Sequence, residues 1–172
     1  MKYALVVLVV LLAPTLEAAV APFFPLRGAQ PNVALIILFG IAVAGGPRLA
    51  MGAIAPLALL VAFQTGRPPA LVLAGYLPLL PLGYLIEGGR VPLNAFARAI
   101  VTVLATGGWA RLMLSLGAFS AGATFSIREL GSDVLISGAI LDLVLLSVVY
   151  LPLRLTGVSG RSLSPSRTGW YQ

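Results

Sequence analysis

Long apolar runs separated by short polar breaks account for most of the chain. The last of them, Val134 to Leu153, is 20 residues long. At a rise of about 1.5 Å per residue, a helix of that length crosses a hydrocarbon core about 30 Å thick. Asp142 falls near its middle. A carboxylate at such a depth costs about 2.5–3.5 kcal/mol on insertion scales, so it must face protein or a wet cavity rather than lipid. Helical spacing puts Leu135, Gly138, Ala139, Leu145, Leu146 and Val149 on the same side as Asp142. This side reads as the inner wall of a helix bundle, with Gly138 and Ala139 leaving room for another backbone. Two readings of Asp142 stay open. It is either a lock or partner contact, or a protonated carboxyl hydrogen-bonded to a neighbouring helix. A lock made of hydrogen bonds predicts that Asp142→Asn is mild and Asp142→Leu worse. An obligatory ion pair predicts that Asn is nearly as harmful as Leu, with rescue on removing the matching arginine.

The earlier runs follow the same pattern. Tyr3 to Phe24 is interrupted by Pro14, Glu17 and Pro22. With Lys2 in front and Ala19-Val20-Ala21 behind, it has features of a secretory signal peptide, but a further span follows. It is therefore expected to be a first span bent at Pro14, with Glu17 facing the bundle or the interface. Pro31-Asn32 marks a helix start, and Val33 to Gly46 is a short second span. Leu49 to Gln64 is the third, containing Pro56, and Ala70 to Ile86 the fourth, kinked at Pro78 and Pro81. Pro92 can open a fifth segment. There a crossing is expected from about Asn94 to Leu114, with Gly107-Gly108 as a possible break and an interfacial extension over Ser115 to Thr124. Arg98 would snorkel to one face and Arg111 to the other. Gly117/Ala121 and Ala118/Gly122 give small residues four apart, as do Gly40/Ala44 and Ala42/Gly46, a spacing that permits close helix contact. Ser126 to Ser132 reads as the polar connection to the last helix.

Six spans place both termini on one side of the membrane. That side carries Lys2, Arg48, Arg90, Arg154, Arg161 and Arg167, against Arg27, Arg67 and Arg128 opposite. The basic excess makes the terminal side cytoplasmic. The expected organisation is a single bundle over residues 1–155 and a flexible cytoplasmic tail over 156–172, with Trp170-Tyr171 able to touch the interface.

Composition agrees with the pattern. Charged residues are 9% of the chain and hydrophobic residues 59%, whereas soluble domains carry about 25% charge. Mean hydropathy is +1.03. The net charge of +6 is carried almost wholly by arginine at segment ends. It points to topology and anionic-lipid contact rather than nucleic acid. The absence of cysteine and histidine excludes disulfides, thiol chemistry and any histidine-based triad. An intramembrane aspartyl enzyme needs two converging carboxylates, but Asp133 and Asp142, nine residues apart, lie about 180° round one helix from each other. Lipoprotein signal peptidases resemble the chain in size and in using two aspartates, without their surrounding motifs. Glu17, Glu87, Arg98, Arg111 and Asp142 are the groups available for buried ion pairs. Arg98 and Arg111 both remain candidates for the counter-ion of Asp142. No enzyme is expected, and no cofactor.

The order of several short motifs resembles the MreD family of bacterial rod shape-determining proteins. They are the proline-broken Ala21-Pro22-Phe23-Phe24-Pro25-Leu26, the Pro31-Asn32-Val33-Ala34-Leu35 helix start, and the turn into a glycine-containing span, Gly46-Pro47-Arg48-Leu49-Ala50-Met51-Gly52-Ala53. Gly66-Arg67-Pro68-Pro69 follows, leading to Gly75-Tyr76 and Gly83-Tyr84, and the chain closes on Tyr150-Leu151-Pro152-Leu153-Arg154. Phe63-Gln64 stands where many relatives have an acidic residue, and Pro69-Ala70-Leu71-Val72 where they often have asparagine. Asp142 stands where they commonly carry a polar residue. The resemblance implies an all-α membrane bundle of about six helices, similar to the substrate-binding membrane subunit of energy-coupling-factor vitamin transporters. It also implies a non-catalytic scaffold of cell-wall elongation in the bacterial inner membrane. The implied partner is MreC, together with a RodA-type glycosyltransferase, a class B penicillin-binding protein and MreB. On this reading Asp142, Gly138, Ala139, Arg98, Arg111, Gly117 and Ala121 serve helix packing or partner binding. A vitamin-type solute-binding transport subunit is the competing class. It would need a roomy cavity with convergent polar or aromatic groups, whereas Asn94, Trp109, Tyr76, Tyr84 and Asp142 are thinly spread.

Overall fold

The computed structural model describes residues 2–82 and 94–155, and every regular element among them is helical. The predicted end of the fourth span (83–86), Glu87, Arg90, Pro92 and the 156–172 tail lie outside the described residues. Helix α1 spans Lys2–Val20, α2 Val33–Gly45, α3 Pro47–Thr65, α4 Pro69–Tyr76 and α5 Ala95–Ser120. A short α6, Ile127–Glu129, passes through a π-helical stretch, Leu130–Ile136, into α7, Ser137–Leu155. Four helical stretches are long and apolar enough to cross a membrane: Tyr3–Phe23, Arg48–Thr65, Phe96–Ser120 and Ile127–Pro152. The chain is a membrane protein on that ground. Val33–Gly45 and Pro69–Leu82 are shorter apolar helices.

Local chemistry sets the helix ends. Asn32 caps α2, its side chain accepting the Leu35 amide at 3.1 Å, and Asn94 caps α5 in the same way through Ala97 at 2.7 Å. Pro47 and Pro69 begin α3 and α4, where the missing N–H has no intrahelical acceptor to lose. Gly66, at φ +67°, closes α3 in the left-handed conformation that glycine adopts without strain. Ser126 and Glu129 form a reciprocal capping box at α6.

The inner face of α1 is Val10, Ala13, Pro14 and Glu17, continued by Ala21 just after the helix, a helical spacing, while Leu5, Leu8, Leu12 and Leu16 face outward. Helix α2 is the centre of the molecule. Six consecutive residues from Val33 to Leu38 are buried or half-buried, and it packs against α1, α3, α5 and α7. Around it the strongest pairings run α1–α3–α4–α5–α7. Between α1 and α7 lies an apolar groove of about 710 Å3, with Ile37, Gly40, Ile41 and Ala44 of α2 along it.

The helices alternate in direction. The start of α1 (Leu5), the ends of α2 (Gly45) and α7 (Pro152), and the start of α3 (Leu49) all meet at that groove. The end of α1 (Glu17), the start of α2 (Asn32), Arg67 after α3 and the end of α5 (Ala118) meet at a second cavity. The chain therefore enters α1 and leaves α7 at one end of the bundle, and the second cavity marks the other.

Two sequence expectations change. Gly107-Gly108 does not break α5, which continues as one helix to Ser120. Both glycines lie mid-helix, where neighbouring turns hold the backbone. Ser126 to Ser132 is not a loop, because the capping box starts the helix at Ile127 and the π-helical stretch carries it on. The irregularity expected at Pro78 is present, as a turn at Leu77-Pro78 before Leu79 resumes the helix, which runs on through Pro81 to residue 82.

Candidate functional site: a polar clamp on the start of α2

The buried charges converge on the first turn of α2. Asp142, fully buried on α7, takes a bidentate contact from Arg111 of α5. Nη1 donates to Oδ2 at 2.6 Å and Nη2 to Oδ1 at 3.0 Å. The backbone N–H of Asn32 donates to the same Oδ1 at 2.9 Å. Arg111 Nη2 also donates to the carbonyls of Gly138, at 3.1 Å, and Gln30, at 3.2 Å. One guanidinium thus ties α5, α7 and the segment before α2 together, using the planar fork that lysine lacks.

Glu17 completes the clamp from α1, accepting the Ala34 amide on Oε2 at 3.0 Å. Its Oε1 faces Arg67 Nη1 at 3.6 Å. The Asn32 cap oxygen accepts a further bond from the Tyr76 hydroxyl of α4 at 3.2 Å. Three first-turn N–H groups, of Asn32, Ala34 and Leu35, are therefore satisfied by side chains from α1, α7 and Asn32 itself. Both carboxylates stand at the end of α2 that its dipole makes positive.

Glycines make the space. A Cβ on Gly138 would collide with the Arg111 Nε and Cζ, and one on Gly107 would lie 2.6 Å from Asp142 Oδ2. Gly138 was expected to admit a neighbouring backbone. What it admits is an arginine side chain. Arg111 was expected to snorkel to a membrane face, yet it turns inward, because Asp142 and two carbonyls supply acceptors that lipid cannot.

The other candidate residues lie elsewhere. Arg98 is half-buried in the first turn of α5, about 20 Å along the helix from Arg111 at 1.5 Å per residue, so Arg111 is the counter-ion. Ala139 is half-buried beside Gly108, Trp109 and Leu135 in a shallow crevice between α5 and α7. Gly117 seats the end of Leu71 from α4, while Ala121 is exposed at the C-terminal cap of α5. Asp133 is an exposed partner of Arg27 at 4.0 Å, a pair worth little.

Sequence reading missed the roles of Gly107, Gly75 and Arg67. A signal for Gly107 exists, since it precedes Arg111 by four residues and so shares its face. Gly75 gives a close backbone approach between α4 and α5, where an added Cβ would stand 3.0 Å from Ala110 Cα. Beside it, Trp109 Nε1 donates to the Ala74 carbonyl at 3.0 Å. Arg67 looked like a turn residue, and nothing local in its sequence distinguishes it from Arg27.

Above the clamp is the second cavity, of about 350 Å3, lined by the polar side chains of Glu17, Gln30, Arg67, Arg111 and Ser115 and by apolar Leu114, Ala118, Phe125 and Val134. Among the described residues no cluster of three or more acidic side chains could hold a metal ion. Comparison with known proteins found no match to a family model, a curated protein or a solved structure.

Proposed function

We propose that the chain is a non-catalytic integral membrane scaffold of the MreD type. Its six helical segments would lie in the bacterial inner membrane with both termini cytoplasmic, and it would bind the single-span protein MreC within the cell-wall elongation machinery. One observation carries the reading. The buried ionisable groups of the clamp are engaged in holding helices to one another, Asp142 and Arg111 with each other and with backbone. What remains on the outside is an apolar surface suited to helix contacts, including the groove between α1 and α7. The association with MreC rests on the resemblance in the sequence.

The expected outcome is that tagged chain extracted in mild detergent retains MreC from the same membranes. Cells depleted of the chain should lose rod shape and regain it from the wild-type copy. Failure to retain MreC, together with unchanged cell shape on depletion, would remove the proposal.

The second reading, a solute-binding transport subunit, is favoured by one feature, the convergence of polar side chains on the 350 Å3 cavity. It predicts a water-soluble compound that co-purifies with the chain, and uptake into liposomes when energising subunits are added. The scaffold predicts neither.

A further inference from the structure

The cavity above the clamp is amphiphilic, and its two charges are not fully matched. Among its polar groups, Arg111 is engaged by Asp142 and two carbonyls. The amides at the start of α2 are engaged too, so the helix terminus is not an open anion site. Glu17 Oε1 and Arg67 are different. They face one another at 3.6 Å, too long for a hydrogen bond, and the Arg67 side chain is about one-third exposed. The apolar part of the lining, Leu114, Ala118, Phe125 and Val134, carries no charge. It continues outward through the Phe119–Phe125 ring contact to Leu116 and Phe119, both exposed on α5.

This combination selects a ligand class. A simple anion would meet Arg67 but be repelled by Glu17, and a simple cation the reverse. A group with anionic oxygens beside a primary ammonium satisfies both. It replaces one loose ion pair by two hydrogen-bonded ones, phosphate to Arg67 and ammonium to Glu17 Oε1. The apolar lining, with Phe125 in contact with the exposed Phe119 of α5, then takes an apolar body. We propose that this cavity is a headgroup site for a phosphoethanolamine phospholipid. The headgroup would lie between Glu17 and Arg67, with its acyl chains running out past Phe125. The volume suits a headgroup with part of its glycerol, and the chains would remain in the bilayer.

The test is native mass spectrometry of the delipidated full chain in detergent. It is offered matched-chain phosphatidylethanolamine, phosphatidylglycerol and phosphatidylcholine in turn. The wild type should retain phosphatidylethanolamine about tenfold more than either of the others, the equivalent of one charge-assisted hydrogen bond. Glu17→Gln should erase the preference over phosphatidylglycerol. Arg67→Gln should lower retention of both phosphatidylethanolamine and phosphatidylglycerol, and Arg67→Lys, which keeps a cation facing Glu17, should restore both. Arg27→Gln, at the same end of the bundle, should change nothing. Equal retention of the three lipids by the wild type, or unchanged phosphatidylethanolamine retention in Arg67→Gln, overturns the site. Water-soluble O-phosphoethanolamine supplies the remaining arm. If it binds alone as well as the lipid and displaces it, the site is one for a free solute and the lipid proposal fails.

Discussion

Replacing Asp142 by asparagine keeps the shape of the side chain and one acceptor oxygen, but leaves the Arg111 guanidinium charged and buried. The bidentate contact, with no exposure of Asp142, selects the ion-pair alternative over a lock of interchangeable hydrogen bonds. Asp142→Asn should therefore be nearly as harmful as Asp142→Leu, each costing about 3–5 kcal/mol, because an unpaired buried charge remains. The double variant Asp142→Leu/Arg111→Met should recover most of that loss. Thermal midpoints of the three variants in detergent check the cycle, and a mild Asp142→Asn would refute it. The neighbouring glycines give a second residue-scale test. Gly107→Ala brings a methyl group within 2.6 Å of Asp142 Oδ2, whereas at Gly108 nothing lies within 4 Å. The first should destabilise by about 1–3 kcal/mol through overpacking. The second should be neutral or stabilising by up to about 1 kcal/mol, since alanine is the better helix former. Equal midpoints for the two variants would mean that Asp142 does not sit against Gly107.

At the scale of elements, α4 and α5 are joined differently from the clamp. They approach closely at glycine against alanine backbone, Gly75 to Ala110, pinned by the Trp109 bond to Ala74. Gly75→Ala has to move one helix away from the other, a cost of about 1–3 kcal/mol. Gly117→Ala meets only the end of the Leu71 side chain, which can turn aside. The first variant should lower the thermal midpoint clearly and the second much less, and the reverse order would contradict this packing. These elements also show where sequence reading succeeds. The apolar runs, the Asn32 start and the inward face of Asp142 were legible because hydropathy and helical period depend on local spacing. The partner of Asp142 was not, because Arg98 and Arg111 are equivalent by composition and only the packing of α5 on α7 decides between them. The course of 107–132 was misjudged for a related reason. Gly107-Gly108 and Ser126–Ser132 look like breaks by propensity, but helix neighbours and a capping box override so weak a prior.

For the whole molecule, the direction of the chain follows from which helix ends meet. Leu5, Gly45, Leu49 and Pro152 gather at the groove, and Glu17, Asn32, Arg67 and Ala118 at the opposite cavity. The two short apolar helices, Val33–Gly45 and Pro69–Leu82, fall below the roughly 20 residues of a perpendicular crossing. They nevertheless run antiparallel to their long neighbours and return the chain to the end from which it came. The start of α1 and the end of α7 thus lie at one end of the bundle, and the charge asymmetry underlies the proposal that this end is cytoplasmic. Lys2, Arg48 and Arg154 belong to the terminal end by their place in α1, α3 and α7. At the cavity end, Arg27 and Arg67 have Asp133 and Glu17 opposite them, at 4.0 and 3.6 Å. An excess of basic residues favours the cytoplasm. A fluorescent protein that matures only in the cytoplasm, fused after Gln172, should therefore be bright. A phosphatase active only outside the cytoplasm should be silent there and active when inserted after Gly66 in the α3–α4 turn. A silent cytoplasmic reporter paired with an active external one at Gln172 would overturn both the orientation and the inside placement of the termini.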